Sequence, residues 1–90
     1  MAKLFNLTIV EPDKVLYEGQ AVSLIARSTE GYLGVLADHA PLAANLVAGK
    51  IMLTDETGMT FNFYCQGTGF LEVGENEVTI LLNQTDITKQ

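Results

Sequence analysis

Apolar and polar residues alternate along most of this chain, in short segments that are separated by turn residues. Phe5, Leu7 and Ile9 alternate with polar neighbours, and the segment 22–27 repeats the pattern. A period of two places alternate side chains on one face of an extended strand, so that one face can be buried. The pattern predicts strands over 5–9, 14–18, 22–27, 32–36, 43–47, 50–54, 59–65, 70–73 and 77–82.

Turn residues such as Pro, Gly, Asp and Asn separate these segments at intervals of about 8 to 12 residues, a spacing typical of sandwiches and barrels. We therefore predict an all-β fold, a flattened antiparallel β-sandwich or barrel of about ten short strands. The alanine-rich stretch 41–48 lacks clean alternation, and one or two helical turns there are the alternative. The sequence has no internal repeat or linker, which indicates a single domain over residues 1–90.

Composition and charge narrow the classes of function. The chain has 90 residues, 48% of them hydrophobic and 18% charged, which is typical of a small globular domain. Its net charge is −6 and its basic residues are spread along the chain, so we expect neither nucleic acid nor anionic lipid as a direct partner. The first residues have no apolar stretch followed by a cleavage site, and we expect a cytosolic location.

The residues capable of chemistry are few. His39 is the one histidine and Cys65 the one cysteine, so ligand spacing for a metal is missing and we expect no metal or cofactor. We interpret His39 as a loop residue that is hydrogen-bonded to a neighbouring backbone group, and Cys65 as a small core residue. A His39–Cys65 nucleophilic pair remains open, because such pairs meet in space and not in sequence.

Two further motifs have ordinary structural explanations. The segment Gly67-Thr68-Gly69 precedes a strand and not a helix, so its glycines are expected to permit a bulge or a close approach between sheets and not to bind phosphate. Lys50, directly after Gly49, is comparable to the hairpin lysine that is modified in biotinyl and lipoyl carrier domains, but the Met-Lys-Met or Asp-Lys-Ala context of that lysine is missing. We interpret Lys50 as an ordinary strand residue.

The segment 28–42 differs from the rest because glycine and proline constrain its backbone. Gly31 and Gly34 permit conformations that other residues avoid, and Pro41 pushes Ala40 toward an extended geometry. Loops with a fixed shape that carry an aromatic ring and charges are suited to protein contact. The side chains concerned are Glu30, Tyr32, Asp38 and His39.

Four motifs in this order resemble the epsilon subunit of F-type ATP synthases. They are Glu30-Gly31-Tyr32-Leu33-Gly34, His39-Ala40-Pro41-Leu42, Gly67-Thr68-Gly69-Phe70-Leu71-Glu72-Val73 and Val78-Thr79-Ile80-Leu81. The resemblance extends from about Phe5 to Leu82. Three positions depart from the family: Ala37 stands where proline is usual, Thr68 replaces the first glycine of a Gly-Gly-Phe motif, and Tyr32 takes a position that often carries a polar or charged residue.

The resemblance implies a non-catalytic rotor subunit of the central stalk, which couples ion flow to ATP synthesis without a cofactor. It implies that the subunit binds the gamma subunit and rests on the ring of c subunits, at the cytoplasmic face of a bacterial plasma membrane. The residues that would contact gamma are Glu11, Asp38, His39, Ala40, Pro41 and Leu42. Those that would contact the c-ring are Glu30, Gly31, Tyr32, Leu33 and Gly34.

Bacterial and chloroplast epsilon subunits typically add two inhibitory C-terminal helices, whereas this sequence stops at Gln90. The resemblance therefore implies a short form without helical autoinhibition. It also implies no ATP binding, because the segment 86–90 lacks the arginine and alanine that end the ATP motif of some relatives. The alternatives are a free-standing β-sandwich module that binds protein or carbohydrate, and a carrier domain modified on Lys50.

Overall fold

The computed structural model describes residues 3–83, and the regular elements in that range are all β-strands. Apolar residues alternate in most of the strands, and glycine, asparagine or aspartate lies in the connections except Thr29-Glu30 and Val47-Ala48. The strands are β1 (Phe5–Glu11), β2 (Lys14–Ser28), β3 (Gly31–Val35), β4 (Leu42–Leu46), β5 (Gly49–Asp55), β6 (Thr60–Cys65), β7 (Gly69–Val73) and β8 (Glu77–Leu82).

The long strand β2 closes the sheet on itself. The hydrogen-bonded order is β1-β8-β7-β4-β2-β5-β6, with β3 also on β2 and a further pairing between β1 and β2. The first half of β2 pairs with β1, and its second half lies between β3 and β5. The register shifts between Ala21 and Ser23, where β2 passes from one layer to the other. The result is a flattened barrel, or sandwich, in which β2 belongs to both layers.

The inward positions of the strands supply one continuous apolar core. Burial of each large side chain stabilises the fold by about 1.5–3 kcal/mol, against the entropy lost on folding. Among the described residues, all those that are fully buried and have side chains are apolar. They are Phe5, Leu7, Ile9, Ala21, Leu24, Ala26, Val35, Leu46, Ile51, Leu53, Cys65, Leu71, Val73, Val78, Ile80 and Leu82.

The all-β sandwich prediction is confirmed, but residues 3–83 contain eight strands where about ten were expected. The segments 14–18 and 22–27 were predicted as separate strands and belong to the single strand β2. Glu18-Gly19-Gln20, at the junction of these two segments, has no apolar residue, which is typical of a turn. These residues nevertheless remain extended, because they pair with Thr8, Leu7 and Asn6 of β1.

The sheet also differs from a purely antiparallel arrangement. Strand β1 pairs in parallel with β8, with Leu7 opposite Val78 and Ile9 opposite Ile80. Antiparallel strands can be joined by a tight hairpin, so local turn signals predict antiparallel pairs. The parallel pair joins the first and last strands, and no local signal in the sequence reports it.

The stretch 41–48, for which helical turns were the alternative, contains strand β4. All five residues of β4 pair with β7, from Leu42 opposite Val73 to Leu46 opposite Gly69. Leu42, Ala44 and Leu46 are the less exposed residues of the strand, so a period of two is present although alanines weaken it. The segment 86–90, on which the expectation about ATP binding rests, lies outside the described residues.

Candidate protein-docking loops

The first loop joins β2 to β3 and is shaped by Ser28 and Gly31. The Ser28 hydroxyl donates a hydrogen bond to the Gly31 carbonyl at 2.8 Å and accepts one from the Glu30 amide at 3.1 Å. Gly31 has a φ of 115°, a conformation that residues with a Cβ rarely adopt. The Thr29 amide donates to the Asn45 carbonyl of β4 at 3.1 Å. The loop therefore has a defined shape, with the Glu30 side chain exposed at its tip.

Beside this loop an aromatic ring projects into solvent over a cation. Tyr32 is 66% exposed, and the guanidinium carbon of Arg27 lies 5.9 Å from its ring centroid. A cation at this distance from an aromatic face contributes about 0.5–1 kcal/mol at an exposed site. Gly49 leaves room for Arg27, because a Cβ on Gly49 would lie 3.0 Å from the Arg27 Cδ. The absence of a side chain at Gly49 thus allows Arg27 to lie beside the Tyr32 ring.

Leu33 and Gly34, the last two residues of the Glu30–Gly34 motif, differ in exposure. Leu33 is half-buried and packs against the core, which anchors β3. Gly34 is exposed, and a Cβ built on it would meet nothing within 4 Å. No side chain therefore covers the β3 backbone at Gly34, and a partner can approach this backbone beside Tyr32.

The second loop joins β3 to β4 and is held at Asp38. Asp38 has a φ of 67°, in the left-handed region that aspartate tolerates better than most residues. Its carboxylate is 2.6 Å from the Lys3 ammonium group, and both side chains are exposed. The hydrogen bond and charge of Asp38 raise the pKa of Lys3. The ion pair connects this loop to the start of β1.

His39 and its neighbours complete the second loop. The His39 amide donates to the Leu36 carbonyl at 3.2 Å, and its Nδ1 donates to the Ala40 carbonyl at 2.8 Å. The interpretation of His39 as a loop residue bonded to a neighbouring backbone group is confirmed. Ala40 and Pro41 are exposed, while Leu42 is half-buried and packs against the core. Leu42 therefore anchors the second loop on the core, while Ala40 and Pro41 are exposed to solvent.

Glu11 lies apart from the other residues that the resemblance assigns to gamma. It ends β1, whereas Lys3, which binds Asp38, precedes the beginning of β1. Glu11 is six positions after Phe5, a distance of about 20 Å along an extended strand. Residues 38–42 form one continuous surface segment, and Glu11 lies at the other end of β1 from it.

The structure also describes the residues for which ordinary roles were expected. Cys65 is 3% exposed, and burial raises the pKa of its thiol, which is the opposite of what an activated nucleophile needs. Lys50 is an exposed residue of β5 that pairs with Tyr64. These two interpretations are confirmed. Within residues 3–83, no group of three or more His, Cys, Asp and Glu side chains is arranged to hold a metal ion.

Gly69 confirms the expected close approach, although its neighbours differ from those predicted. A Cβ on Gly69 would lie 2.8 Å from the Leu81 carbonyl oxygen and 3.0 Å from the Leu82 Cδ2. Leu81 and Leu82 belong to β8, which pairs with β7 in the same sheet, so the approach is between neighbouring strands and not between two sheets. Gly67, by contrast, has open space around it.

Two residues that support the loops were missed at the level of sequence. Arg27 lies directly opposite Tyr32, because Ser28 pairs with Gly31 across the hairpin. A two-residue hairpin turn at Thr29 and Glu30 pairs Ser28 with Gly31 and Arg27 with Tyr32, so the sequence could have predicted this contact. Lys3 pairs with Asp38 across 35 positions of sequence, and no local pattern indicates that contact.

In the described part of the chain, no helix is long and apolar enough to span a membrane.

Comparison with protein families gives a direct match. The family model described as "ATP synthase, Delta/Epsilon chain, beta-sandwich domain" matches residues 4–86. The chain therefore belongs to the family of β-sandwich domains of ATP synthase delta and epsilon chains. The match includes both loops, all eight strands and the core.

Individual relatives agree with this family. The ATP synthase epsilon chain of Pelotomaculum thermopropionicum is 42% identical over 84 residues, covering 93% of this chain and 61% of its own length. That of Natranaerobius thermophilus is 33% identical over 88 residues, covering 98% of this chain and 62% of its own. The chloroplastic epsilon chain of Emiliania huxleyi is 38% identical over 78 residues, covering 87% and 58%. This chain spans about three fifths of the length of these relatives.

Solved structures share the fold. A chain in the Euglena gracilis mitochondrial ATP synthase structure, which contains OSCP, F1 and the c-ring, superposes with a TM-score of 0.81 at 24% identity, covering 89% of this chain and 51% of that one. A chain in the Tetrahymena thermophila mitochondrial ATP synthase central stalk and c-ring structure has a TM-score of 0.74 at 16% identity, covering 92% and 66%. At these identities the likeness is one of fold.

Proposed function

We propose that this chain acts as a rotor subunit of an F-type ATP synthase, binding the gamma subunit and contacting the c-ring to couple ion flow to ATP synthesis. It has no catalytic residue of its own in this role and needs no cofactor. It would reach the membrane indirectly, through the complex, on the cytoplasmic side of a bacterial plasma membrane. Membership of the delta and epsilon chain family supports this assignment.

The observation that carries the proposal is the exposure of the segment 28–42 on a rigid support. Its large apolar and aromatic side chains differ in exposure. Leu33 packs against the core, whereas Tyr32 and Leu36 are more than 60% exposed. Exposed aromatic and aliphatic side chains on a fixed backbone are typical anchors of a protein interface.

The two loops have different chemistry, which fits two different partners. Glu30, Gly31, Tyr32, Leu33 and Gly34 would form the c-ring contact, with a low glycine surface beside one large ring. Asp38, His39, Ala40, Pro41 and Leu42 would form the gamma contact, with charge at the tip and apolar residues at the base. Glu11, at the far end of β1, would be a separate point of the gamma contact.

The gamma contact can be measured by calorimetry with the gamma subunit of the same organism. We expect one-to-one binding that the double substitution Asp38→Ala and His39→Ala weakens about tenfold, or about 1.4 kcal/mol. Lys3→Ala is the matched control, because it removes the ion pair with Asp38 and leaves the loop residues in place. Unchanged binding by the double variant would contradict the assignment of this loop.

The ring contact can be measured separately with reconstituted ATP synthase. Tyr32→Ala is expected to lower proton pumping driven by ATP hydrolysis while gamma binding is retained, since Tyr32 lies on β3 and not in the segment 38–42. Tyr64→Ala, at an exposed tyrosine of β6 that pairs with Lys50, is the control for loss of a surface ring. Equal pumping by wild type and Tyr32→Ala would contradict the ring contact.

A free-standing binding module is the competing function. It predicts a folded chain that fails to bind folded gamma in the calorimetric experiment. In that case the family would describe the fold of this chain and not its role.

A further inference from the structure

Strand β6 forms an open edge of the sheet. It ends the hydrogen-bonded order of strands, and β5 is its neighbour among the described strands. The Asp55 amide donates to the Met59 carbonyl at 2.9 Å at the start of this pairing. Because hydrogen-bonded pairs alternate along an antiparallel ladder, Phe61, Phe63 and Cys65 direct their backbone groups to β5. The backbone groups of Thr60, Asn62 and Tyr64 therefore face the open edge.

Nothing in the sequence of this edge opposes pairing with another strand. No charged residue, histidine or proline occurs from Thr57 to Leu71. Natural sheets protect their edges with lysine, proline, bulges or very short strands. Strand β6 has six residues, and its register with β5 runs without a shift from Thr60 to Cys65. It is a straight, uncharged, aromatic-rich edge in a chain whose net charge is −6.

The side chains of β6 leave apolar surface that a second strand would cover. Phe61 and Phe63 point toward the core but are only half-buried, since no strand lies beyond them. Phe61 contacts the Tyr17 ring on its inner side, with centroids 5.7 Å apart. A strand added at this edge would bury the outer sides of both phenylalanine rings, at about 25 cal/mol for each Å² of apolar surface removed from water.

We propose that β6 is a self-association edge, at which two copies of this chain pair their β6 strands antiparallel about a two-fold axis. With Asn62 opposite Asn62 of the second copy, Thr60 of each copy faces Tyr64 of the other. These three pairs give about six backbone hydrogen bonds, two for each pair. In the same register Phe61 of one copy faces Phe63 of the other, so the half-buried rings cover each other.

The second copy fits this edge because the edge is complementary to itself. A two-fold interface requires that the same patch serve both partners. The register centred on Asn62 places small polar residues together and aromatic residues together, without a charged pair. The contact of one short strand with another is smaller than a standard stable interface, so we expect a weak dimer. This inference does not depend on the rotor role.

Sedimentation velocity across a concentration range up to about 1 mM tests the proposal. We expect the wild type to pass from monomer to dimer, more readily at high salt, because salt screens the repulsion between two copies of charge −6. Asn62→Lys is expected to remain monomeric, since two lysines would face each other across the axis. Asn45→Lys, the same change at an exposed residue of β4, is the control and should dimerise like the wild type.

Cross-linking tests the register. The paired Asn62 residues would have Cα atoms about 5.5 Å apart, within the range that a disulfide bridges. We expect Asn62→Cys to form a covalent dimer on mild oxidation, and Asn45→Cys to stay monomeric; the native Cys65 is buried. Thermal unfolding of each variant confirms that it is folded.

Three outcomes would overturn the proposal. The first is a wild type that stays monomeric up to about 1 mM. The second is a dimer in which Asn62→Cys cross-links no better than Asn45→Cys, because another surface would then be in use. The third is gamma binding that is lost in Asn62→Lys and retained in Asn45→Lys, because the edge would then pair with a strand of gamma.

Discussion

The glycines of the segment 28–42 and the glycine at the start of β7 belong to equally glycine-rich motifs, yet their surroundings are opposite. Around Gly31 and Gly34 there is open space for at least 4 Å beyond a Cβ position. Around Gly69 the Leu81 carbonyl oxygen and the Leu82 side chain would be within 3.0 Å of such an atom. At Gly31 and Gly34 the backbone is open to solvent, whereas at Gly69 the absence of a side chain allows β7 and β8 to approach closely.

This difference separates residues kept for contact with a partner from residues kept for packing. A glycine in a closed space is required by the fold itself, and any side chain there forces neighbouring backbone to move. A glycine in an open space is required by backbone conformation, by a partner, or by neither. Substitution to alanine distinguishes these cases, because each predicts a different loss of stability.

The largest effect is expected for Gly69→Ala. The added methyl group would collide with a backbone carbonyl, which cannot rotate away, so we expect a loss of about 2 kcal/mol or more in the free energy of unfolding. Urea denaturation followed by circular dichroism measures it. Gly67→Ala, two residues earlier in open space, should change stability by no more than about 0.5 kcal/mol. Equal losses in the two variants would contradict the closed packing at Gly69.

A smaller effect is expected for Gly31→Ala. No atom obstructs the methyl group, but a φ of 115° is strained for alanine, at a cost of about 1–2 kcal/mol. The same denaturation experiment measures the loss. Gly31→Asn is a useful companion, because asparagine tolerates positive φ better than alanine and should recover part of the stability. A fully stable Gly31→Ala would mean that the β2–β3 loop can change its conformation.

Gly34→Ala is expected to leave stability unchanged within about 0.5 kcal/mol. Its backbone has no positive φ and a Cβ has nothing to contact, so neither strain nor collision arises. If Gly34 lies in the ring contact as proposed, the methyl group would impair ATP-driven proton pumping in the reconstituted enzyme without destabilising the chain. A loss of pumping together with a loss of stability would instead indicate a structural role.

The β5–β6 turn gives a third case, in which a carboxylate and not glycine packing defines a loop. The Asp55 carboxylate accepts hydrogen bonds from the Thr57 hydroxyl at 2.7 Å and from the Thr57 and Met59 amides at 2.8 and 3.0 Å. The Thr57 hydroxyl first, and then these amides, lower the pKa of Asp55 below its ordinary value of 3.8. The turn is therefore held by a charged acceptor at neutral pH.

Acidification should loosen this turn by a small amount. Because the folded-state pKa is lowered, the stabilisation is fully present above the unfolded-state pKa and is lost as pH falls through the folded-state value. We expect the amide NMR resonances of Thr57 and Met59 to titrate together below pH 3.8. In Asp55→Asn these two resonances should no longer titrate. A midpoint at or above 3.8 in the wild type would contradict the hydrogen-bond geometry.

Local patterns in the sequence predict much of this fold, and the exceptions have a common cause. Alternation identified most residues of β1 and β5 and all those of β8, and turn residues marked the boundaries between strands. The merging of two segments into β2, the parallel pairing of β1 with β8 and the contact of Lys3 with Asp38 all depend on residues far apart in sequence. No propensity or periodicity reports such contacts, because both are properties of a short window.

In the candidate site, too, local motifs were predictable from the sequence and long-range contacts were not. Family motifs indicated the two loops, and the structure supplies the support that the motifs leave out. Arg27 was within reach of simple counting across the β2–β3 hairpin. The distance between Glu11 and the segment 38–42 could not be predicted in this way, because it depends on the course of β1 through the closed sheet.

The parallel pairing of β1 with β8 has a consequence for how the chain folds during synthesis. Leu7 meets Val78 only after about 70 further residues have been made, so β1 has β2 alone as a strand partner until then. Non-local closure of this kind slows folding and leaves apolar surface uncovered on the nascent chain. We therefore expect the barrel to be completed only after β8 has left the ribosomal exit tunnel, and not strand by strand during synthesis.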